Sequence, residues 1–187
     1  MRIIGGTHRG RNLSTLRGFK YRPMLNQLRQ TLFDILSPTI EGAAFLDLYA
    51  GTGSVGLEAL SRGASEAVFV ESHRPAGTVI EKNLANLKLT NGQVLALSVA
   101  SALGRLRFQE PRFDVVFLAP PYKDEEEYEQ CLEALGQPGL VRAEGRVIAQ
   151  HSRRLELRDV YGELRRTRNL LRGKSQLTFY GYFSSET

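Results

Sequence analysis

Two carboxylates flank a glycine motif whose spacing is typical of a nucleotide-type cofactor site. The motif is Gly51-x-Gly53-x-x-Gly56, with Asp47 shortly before it and Glu71 after it. A glycine turn lets a ligand approach the backbone beside the start of a helix, and enzymes that use NAD or FAD share this spacing with methyltransferases. The glycines alone therefore do not identify the cofactor.

The two carboxylates favour S-adenosylmethionine over a dinucleotide. A negative side chain at Asp47 is a useful neighbour for the amino and sulfonium groups of that cofactor, whereas it would lie unfavourably near a pyrophosphate. Glu71 can accept hydrogen bonds from both ribose hydroxyls. The alternatives are that Asp47 caps a turn and that Glu71 belongs to the start of the next helix. Taken together, the pattern predicts cofactor binding by Asp47, Gly51, Gly53 and Glu71.

A second candidate site is the segment Ala119-Pro120-Pro121-Tyr122, which ends an apolar run. Two prolines remove two backbone donors and hold the chain extended, so the preceding carbonyls lack partners in a sheet and can face a ligand. Tyr122 can stack on a planar base. Carbonyl acceptors beside a stacked base suit methyl transfer to an exocyclic amine, because they localise and aim its lone pair. The alternative is a strand exit with a surface tyrosine.

The basic charge of the chain is concentrated in two segments. The net charge is +5; residues 1–30 contain seven Lys or Arg and no acid, and residues 153–174 contain eight Lys or Arg and three Asp or Glu. Segregated basic charge attracts a phosphate backbone. The alternative is a basic surface without a nucleic-acid partner.

Alternating strand and helix patterns position these residues. A small hairpin opens the chain, a helix runs from Met24 to Leu36, and a strand or hairpin arm covers 175–183. The predicted strands between them are 43–50, 66–72, 93–97, 113–119 and 145–152, and the predicted helices are 54–63, 74–89, 101–108 and 125–135. This rhythm predicts a doubly wound, mostly parallel sheet with helices on both faces, in which ligands bind at the carboxyl ends of strands.

The length of 187 residues fits one domain, with a basic arm over 1–23 and a Rossmann-like core over 24–187. One cysteine, Cys131, and three histidines give neither a disulfide framework nor a metal-ligand cluster. No apolar run is long enough to span a membrane, and the first residues are too polar for a signal peptide. We therefore expect a cytoplasmic monomer without a metal or a membrane partner.

Together these motifs resemble those of the bacterial 16S rRNA guanine-N2 methyltransferase D family. The segments that carry the resemblance are DLYAGTGSVGLEALSRGA, VFVES and FDVVFLAPPY, preceded by RIIGGTHRGRNL, RP and LRQTLFDIL. It covers most of residues 1–151. It implies a class I methyltransferase that uses S-adenosylmethionine. The implied target is the exocyclic N2 of a guanine in 16S rRNA, met in the small ribosomal subunit or an assembly intermediate.

The resemblance also assigns roles by position. Its cofactor loop contains Gly51 and Gly53, and its ribose site contains Glu71. The target-base loop contains Pro120, Pro121 and Tyr122. The side chains that would bind RNA phosphates are Arg9, Arg11, Arg22 and Arg29.

The chain departs from the family pattern at three places. The family has Asp or Asn before Pro-Pro-Tyr, whereas Ala119 cannot accept a hydrogen bond from the target amine. Ser101 stands where such enzymes often hold the adenine amine with Asp, and Gln150-His151 replaces Glu-His. One lost acceptor is expected to cost about 10²- to 10³-fold in rate. The main alternative is thus a weak or inactive RNA-binding protein on the same fold; an NAD-binding oxidoreductase, supported by the glycines alone, is the third hypothesis.

Overall fold

A computed structural model describes residues 1–16, 24–107, 112–121 and 124–182. The chain divides into two compact units, Met1–Ser98 and Val99–Thr187. Each unit contains parallel strands with helices between them, as the alternating pattern predicts. The assignment of the whole chain to one domain stays a prediction.

The first unit begins with an N-terminal arm, residues 1–16, that folds back on itself. Arg2 and Asn12 form an isolated antiparallel bridge. The amide of Ile3 donates to the carbonyl of Arg11 at 3.0 Å, and the amide of Gly10 donates to the carbonyl of Ile3 at 2.9 Å. The predicted hairpin is therefore present as a short turn rather than as a pair of extended strands.

Six elements follow the arm in the first unit. They are α1 (Asn26–Leu36), β1 (Ala44–Leu48), α2 (Ser54–Ser61), β2 (Glu66–Val70), α3 (Arg74–Leu87) and β3 (Gly92–Leu95). The strands lie in the order β3-β2-β1 and are all parallel, with Leu48 opposite Val70. Because parallel strands end at the same edge, the segments after β1 and β2 are neighbours. This places Glu71 beside the glycine motif.

Gly56, the third glycine of the motif, allows α2 to pack closely on β2. A Cβ atom at Gly56 would lie 2.3 Å from Cε1 of Phe69, a buried side chain of β2. Any larger residue would push the helix away from the strand, which is the packing role expected for the third glycine of such a motif. The position of the loop above the strand ends therefore depends on this glycine.

The described residues of the second unit form two helices and five strands. They are α4 (Val99–Leu106), β4 (Phe113–Leu118), α5 (Glu125–Leu135), β5 (Val141–Ser152), β6 (Val160–Tyr161), β7 (Leu164–Arg172) and β8 (Ser175–Tyr182). The strands lie in the order β4-β5-β8-β7-β6. β4 and β5 are parallel, whereas the pairs formed by β8 with β5, β8 with β7 and β7 with β6 are antiparallel.

The last two strands differ from the sequence expectation. The sequence predicts an edge strand or a hairpin arm over 175–183. β8 forms a hairpin with β7, but it also pairs with β5 and is therefore not an edge strand. β7 was not predicted as a strand at all. Its side chains alternate poorly between buried and exposed, because arginines occupy much of its length. Such a strand has no period-two apolar signal to detect.

Both units have apolar cores. Leu32, Phe33, Phe45 and Phe69 are fully buried in the first unit, and Phe113, Val116, Ile148 and Leu177 in the second. Cys131 is buried as predicted, and burial raises the pKa of its thiol above the ordinary value. Over the described ranges of the chain, no helix is both long and apolar enough to cross a membrane.

Candidate functional site

The glycine motif forms a tight turn between β1 and α2. Gly51 has φ 57°, and Gly53, which precedes the first residue of α2, has φ 80°. Tyr49, directly after β1, also has a positive φ, 60°, although it has a side chain. Non-glycine residues adopt this left-handed conformation rarely, and strained backbone of this kind concentrates at ligand sites. Sequence analysis did not single out Tyr49, since its strain has no sequence signature.

Glu71 is held directly against this turn. Its side chain is buried, and its Oε2 accepts a hydrogen bond from the amide of Gly51 at 2.8 Å. Its Oε1 accepts one from the amide of His73 at 2.8 Å. These bonds fix the carboxylate at the end of β2, where a nucleoside ribose would approach a Rossmann-like sheet.

Asp47 contacts the same glycine motif from within β1, at Gly56. It is 1% exposed, and its Oδ2 accepts a hydrogen bond from the amide of Gly56 at 2.9 Å. Burial raises the pKa of Asp47 to about 7, with the Gly56 amide opposing the shift and the negative charge of Glu71 adding to it. A buried carboxylate of this kind is stabilised by a cation placed beside it.

The arrangement fits S-adenosylmethionine. Two buried carboxylates contact the glycine motif: Asp47 accepts the amide of Gly56, in the first turn of α2, at 2.9 Å, and Glu71 accepts that of Gly51 at 2.8 Å. That concentration of negative charge suits a ligand with a cationic amino group, a sulfonium and a ribose diol better than it suits a pyrophosphate. The alternative roles of the two acids, a turn cap and a helix start, are also seen in part, because both accept backbone amides.

The segment after β4 has a different character. Ala119 is half-buried, Pro120 is buried and Pro121 is exposed. The carbonyl of Pro121 accepts the amide of Asp124 at 2.9 Å, which turns the chain into α5. Tyr122, the predicted stacking residue, lies outside the described residues.

Tyr128, on α5, connects the ends of β4 and β5. Its side chain is fully buried, and its hydroxyl lies 2.9 Å from the carbonyl oxygen of Pro120 and 2.8 Å from that of Gln150. A hydroxyl has one hydrogen, so it donates to one of these carbonyls at a time. The Pro120 carbonyl, which sequence analysis expected to lack a partner in the sheet, thus has one from a helix. The helical spacing of Tyr128 gave no signal of this contact.

His151 is a structural residue rather than a base. It is fully buried, its Nδ1 donates to the carbonyl of Ser152 at 2.9 Å, and its Nε2 accepts from the hydroxyl of Thr178 at 2.8 Å. Burial lowers the pKa of His151, so its ring is neutral. Its edge packs against Tyr128 with a centroid separation of 6.2 Å.

Ser101 lies in the first turn of α4 and is exposed. Ser98, which immediately precedes α4, lies closer along the chain to the end of β3. An adenine-binding side chain is expected at a strand end. Ser98 is therefore a second candidate for the role that the family resemblance gave to Ser101.

The N-terminal arm is fastened to α2 by Glu58, a residue that sequence analysis missed. Glu58 is fully buried, and its carboxylate accepts the amides of Ile4 at 2.8 Å and Gly5 at 2.7 Å. The Nε of Arg62 donates to the same carboxylate at 2.8 Å. The arm is thus a fixed part of the first unit, and it presents the exposed side chains of Arg9 and Arg11.

Arg29 belongs to this anchor and not to an RNA surface. It is fully buried, donates to the carbonyl of Arg2 at 2.6 Å and lies 3.7 Å from Glu58. Burial lowers the pKa of Arg29, and Glu58 opposes the shift. A buried guanidinium with internal partners cannot reach a phosphate, so the expectation that Arg29 contacts RNA is wrong. Arg22 lies outside the described residues.

A family model, described as "Conserved hypothetical protein 95", matches residues 1–181. The chain belongs to this family. The Bacillus subtilis (strain 168) protein YlbH is 33% identical over 181 residues, 96% of this chain and 98% of that protein. The Escherichia coli (strain K12) ribosomal RNA small subunit methyltransferase D is 40% identical over 123 residues. That match covers 66% of this chain and 61% of the enzyme. The resemblance stated from the motifs is confirmed.

Solved structures confirm the predicted fold of this family member. The Escherichia coli protein YhhF has a TM-score of 0.88 at 31% identity, covering 99% of both chains. A protein from Thermus thermophilus has a TM-score of 0.83 at 35% identity, covering 97% of this chain and 99% of that chain. The fold is that of a Rossmann-like class I methyltransferase, with a mostly parallel mixed sheet.

The comparisons also bear on the cofactor. A more distant structure, a complex with S-adenosylhomocysteine, has a TM-score of 0.62 at 14% identity over 84% of this chain and 50% of that chain. This likeness by itself shows the fold alone. Together with the methyltransferase relatives, the comparisons support a methyltransferase that uses S-adenosylmethionine, as the two carboxylates predict.

Proposed function

We propose that this protein methylates the exocyclic N2 of a guanine in 16S rRNA, in the small ribosomal subunit or an assembly intermediate. The observation that carries the proposal is the contact of two buried carboxylates, Asp47 and Glu71, with the two ends of one glycine motif, at Gly56 and Gly51. The relative with 40% identity is a small-subunit rRNA methyltransferase, which supports the substrate class. The exposed arginines of the arm, Arg9 and Arg11, suit the phosphates of such a substrate.

The first unit would bind the donor. Glu71 would accept the ribose hydroxyls, Asp47 would face the cationic groups, and the turn from Gly51 to Gly53 would let the ligand approach the backbone. When bound, S-adenosylmethionine supplies an electrophilic methyl group. Replacing the first-unit carboxylates is therefore expected to abolish transfer through loss of the donor rather than through a slower chemical step.

The second unit would hold the acceptor. An exocyclic amine is conjugated with its ring and is a poor nucleophile until acceptors localise its lone pair. The Pro120 carbonyl, which Tyr128 holds at 2.9 Å, would accept one hydrogen of the guanine amine. A carbonyl oxygen has two lone pairs, so it can accept from Tyr128 and from the amine together. The methylated amine is cationic, and its proton is acidic enough to pass to water without a general base.

Ala119 leaves this segment without a side-chain acceptor, because its methyl group stands where the family has Asp or Asn. We expect a slow enzyme for this reason. The comparisons do not favour the alternative of a protein that binds RNA without methylating it, since the relative with 40% identity is named a methyltransferase.

The test is transfer of a labelled methyl group from S-adenosylmethionine to small ribosomal subunits from a strain that lacks this protein. The expected product, after digestion to nucleosides, is N2-methylguanosine in 16S rRNA. Glu71→Gln is expected to abolish labelling, since it places an amide where two backbone amides donate. The matched control is Glu66→Gln, at the other end of β2, which should keep activity. No label in any nucleoside, or label in a nucleoside other than N2-methylguanosine, would contradict the proposal.

A further inference from the structure

The second basic segment, residues 153–174, accounts for the net charge of the whole chain. It contains eight Lys or Arg against three Asp or Glu, a surplus equal to the net charge of +5. The remainder of the chain, including the basic arm, is therefore neutral in sum. The role proposed above uses the arm and leaves this segment unexplained.

The fold brings four of these eight cations together at one edge of the sheet. Ser175 pairs with Ser152 at the end of β5 and with Arg172 at the end of β7. The amide of Arg153 donates to the carbonyl of Lys174 at 3.1 Å, which joins the turn after β5 to the turn between β7 and β8. We refer to Arg153, Arg154, Arg172 and Lys174 as the basic edge cluster.

These four side chains differ from Arg158 and Arg166, the two arginines of the segment for which ion pairs are seen. All four are exposed, and among the residues that the structure describes none of them has a carboxylate at ion-pair distance. By contrast, Arg158 pairs with Glu129 and Glu133, and Arg166 pairs with Asp159. The positive charges of the basic edge cluster therefore repel one another, and no ion pair offsets this repulsion. An external anion bound there would offset it.

The basic edge cluster lies at the same edge as the Pro120 segment. β4 is parallel to β5, with Leu118 opposite Ala149, so both strands end there. Tyr128 connects the carbonyls of Pro120 and Gln150 at that edge. With neighbouring strands about 4.8 Å apart, the three steps from β4 through β5 and β8 to β7 span about 14 Å.

The amino end of β5 offers an internal comparison. There Arg142 forms an ion pair with Asp114 at 2.7 Å. The charge of Arg142 is thus neutralised by the protein itself, whereas the four cations of the basic edge cluster have no such partner among the described residues.

We propose that the basic edge cluster is a second RNA site, which binds phosphates of the strand that flanks the target nucleotide. This inference rests on the proposed function and adds a contact surface in the second unit to that of the arm. Exposed cations without internal partners break no intramolecular ion pair when they contact phosphate. Their binding also releases the counterions of the RNA. The site recognises the backbone rather than the bases, because it consists of Lys and Arg around turns.

Two double variants test the site, and a third with the same charge change serves as the control. The test variants are Arg153→Gln with Arg154→Gln, and Arg172→Gln with Lys174→Gln; the control is Arg146→Gln with Arg165→Gln. Arg146 and Arg165 both lie opposite Gly181, six positions along β5 from Ser152, beside which the basic edge cluster lies. The measurements are the dissociation constant for protein-free 16S rRNA at several salt concentrations, the affinity for S-adenosylhomocysteine, and thermal unfolding.

Each test variant is expected to weaken RNA binding and to lower the slope of log affinity against log salt by about 1.5, since each lost phosphate contact contributes about 0.7 to 0.9. Cofactor affinity and thermal unfolding should match the wild type, and the control should keep the wild-type slope. Equal slopes for the test and control variants would overturn the inference. If slopes fall as expected but the wild type transfers no methyl group, the RNA site stands and the proposed activity fails.

Discussion

At the ends of β1 and β2 the polar groups are buried carboxylates, whereas at the ends of β4 and β5 they are main-chain carbonyls. In the first unit Asp47 and Glu71 accept amides of one glycine motif, those of Gly56 and Gly51, at 2.9 Å and 2.8 Å. In the second unit the hydroxyl of Tyr128 contacts the carbonyls of Pro120 and Gln150 at 2.9 Å and 2.8 Å. One strand pair therefore presents negative charge, and the other presents neutral acceptors.

This difference matches the two molecules that a methyltransferase must hold. A cationic donor is stabilised by full negative charges in a buried site, where Coulomb interactions are strong. A neutral amine needs acceptors with defined direction, which main-chain carbonyls supply without the desolvation cost of a charge. The two ends should thus respond differently to the same kind of change: the first to charge and pH, the second to the direction of hydrogen bonds.

The largest expected effect comes from adding a side-chain acceptor to the neutral end. Ala119→Asp should raise the rate of methyl transfer by about 10²- to 10³-fold, because a second acceptor would share the amine hydrogens with the Pro120 carbonyl. The measurement is the single-turnover rate on small subunits. Ala119→Leu, which adds similar bulk without an acceptor, is the control. An Asp variant no faster than the Leu variant would show that this position does not contact the amine.

The next effect separates the two ends by their pH dependence. Burial raises the pKa of Asp47 to about 7, whereas an unfolded Asp titrates near 3.9. The folded state therefore holds a proton that the unfolded state has released. The contribution of Asp47 to stability is fully present below about pH 4 and is lost as the pH rises through 7.

We therefore expect the stability of the wild type, relative to Asp47→Asn, to fall by about 3 kcal/mol between pH 5 and pH 8. Urea unfolding of both proteins at the two pH values measures this difference. S-adenosylhomocysteine at saturation should reduce the loss, because its cationic amino group compensates the ionised carboxylate. An identical difference between the two proteins at pH 5 and pH 8 would show that Asp47 does not titrate in this range.

The carboxylate end could be predicted from the sequence, and the reason is local. Asp47 and Glu71 lie near the ends of consecutive strands. Parallel pairing of these strands brings both side chains to one glycine motif. The bounds of α5 also follow from its pattern. In both cases the signal and the structure involve residues near one another in sequence.

Two of the contacts that sequence analysis missed depend on tertiary packing. Tyr128 has the spacing of an ordinary core residue, and only tertiary packing brings its hydroxyl to Pro120 and Gln150. Arg29 was grouped with the RNA-binding arginines by its position in the family resemblance, which cannot detect burial. Its partner Glu58 lies 29 positions away in α2, and the pair becomes visible only when the arm folds onto that helix.

The smallest expected effect tests whether catalysis at the ends of β4 and β5 depends on the direction of the Pro120 carbonyl. Tyr128→Phe removes the donor that holds the Pro120 carbonyl and keeps the ring against His151. We expect methyl transfer to slow by about tenfold, equivalent to about 1.4 kcal/mol, with unchanged affinity for S-adenosylhomocysteine. The unfolding free energy should also fall by about 1 to 3 kcal/mol, because the substitution removes the hydroxyl that donates to the two buried carbonyls.

A loss of stability alone is therefore not informative for Tyr128→Phe, and the control must lose stability in the same way. Tyr180→Phe meets this need, because Tyr180 is fully buried and its hydroxyl also donates to a main-chain carbonyl, that of Arg158, at 2.9 Å. If both variants lose similar stability but only Tyr128→Phe slows transfer, Tyr128 positions the acceptor carbonyl. If both keep the wild-type rate, the Pro120 carbonyl does not direct the amine, and the contrast between the two strand ends would rest on charge alone.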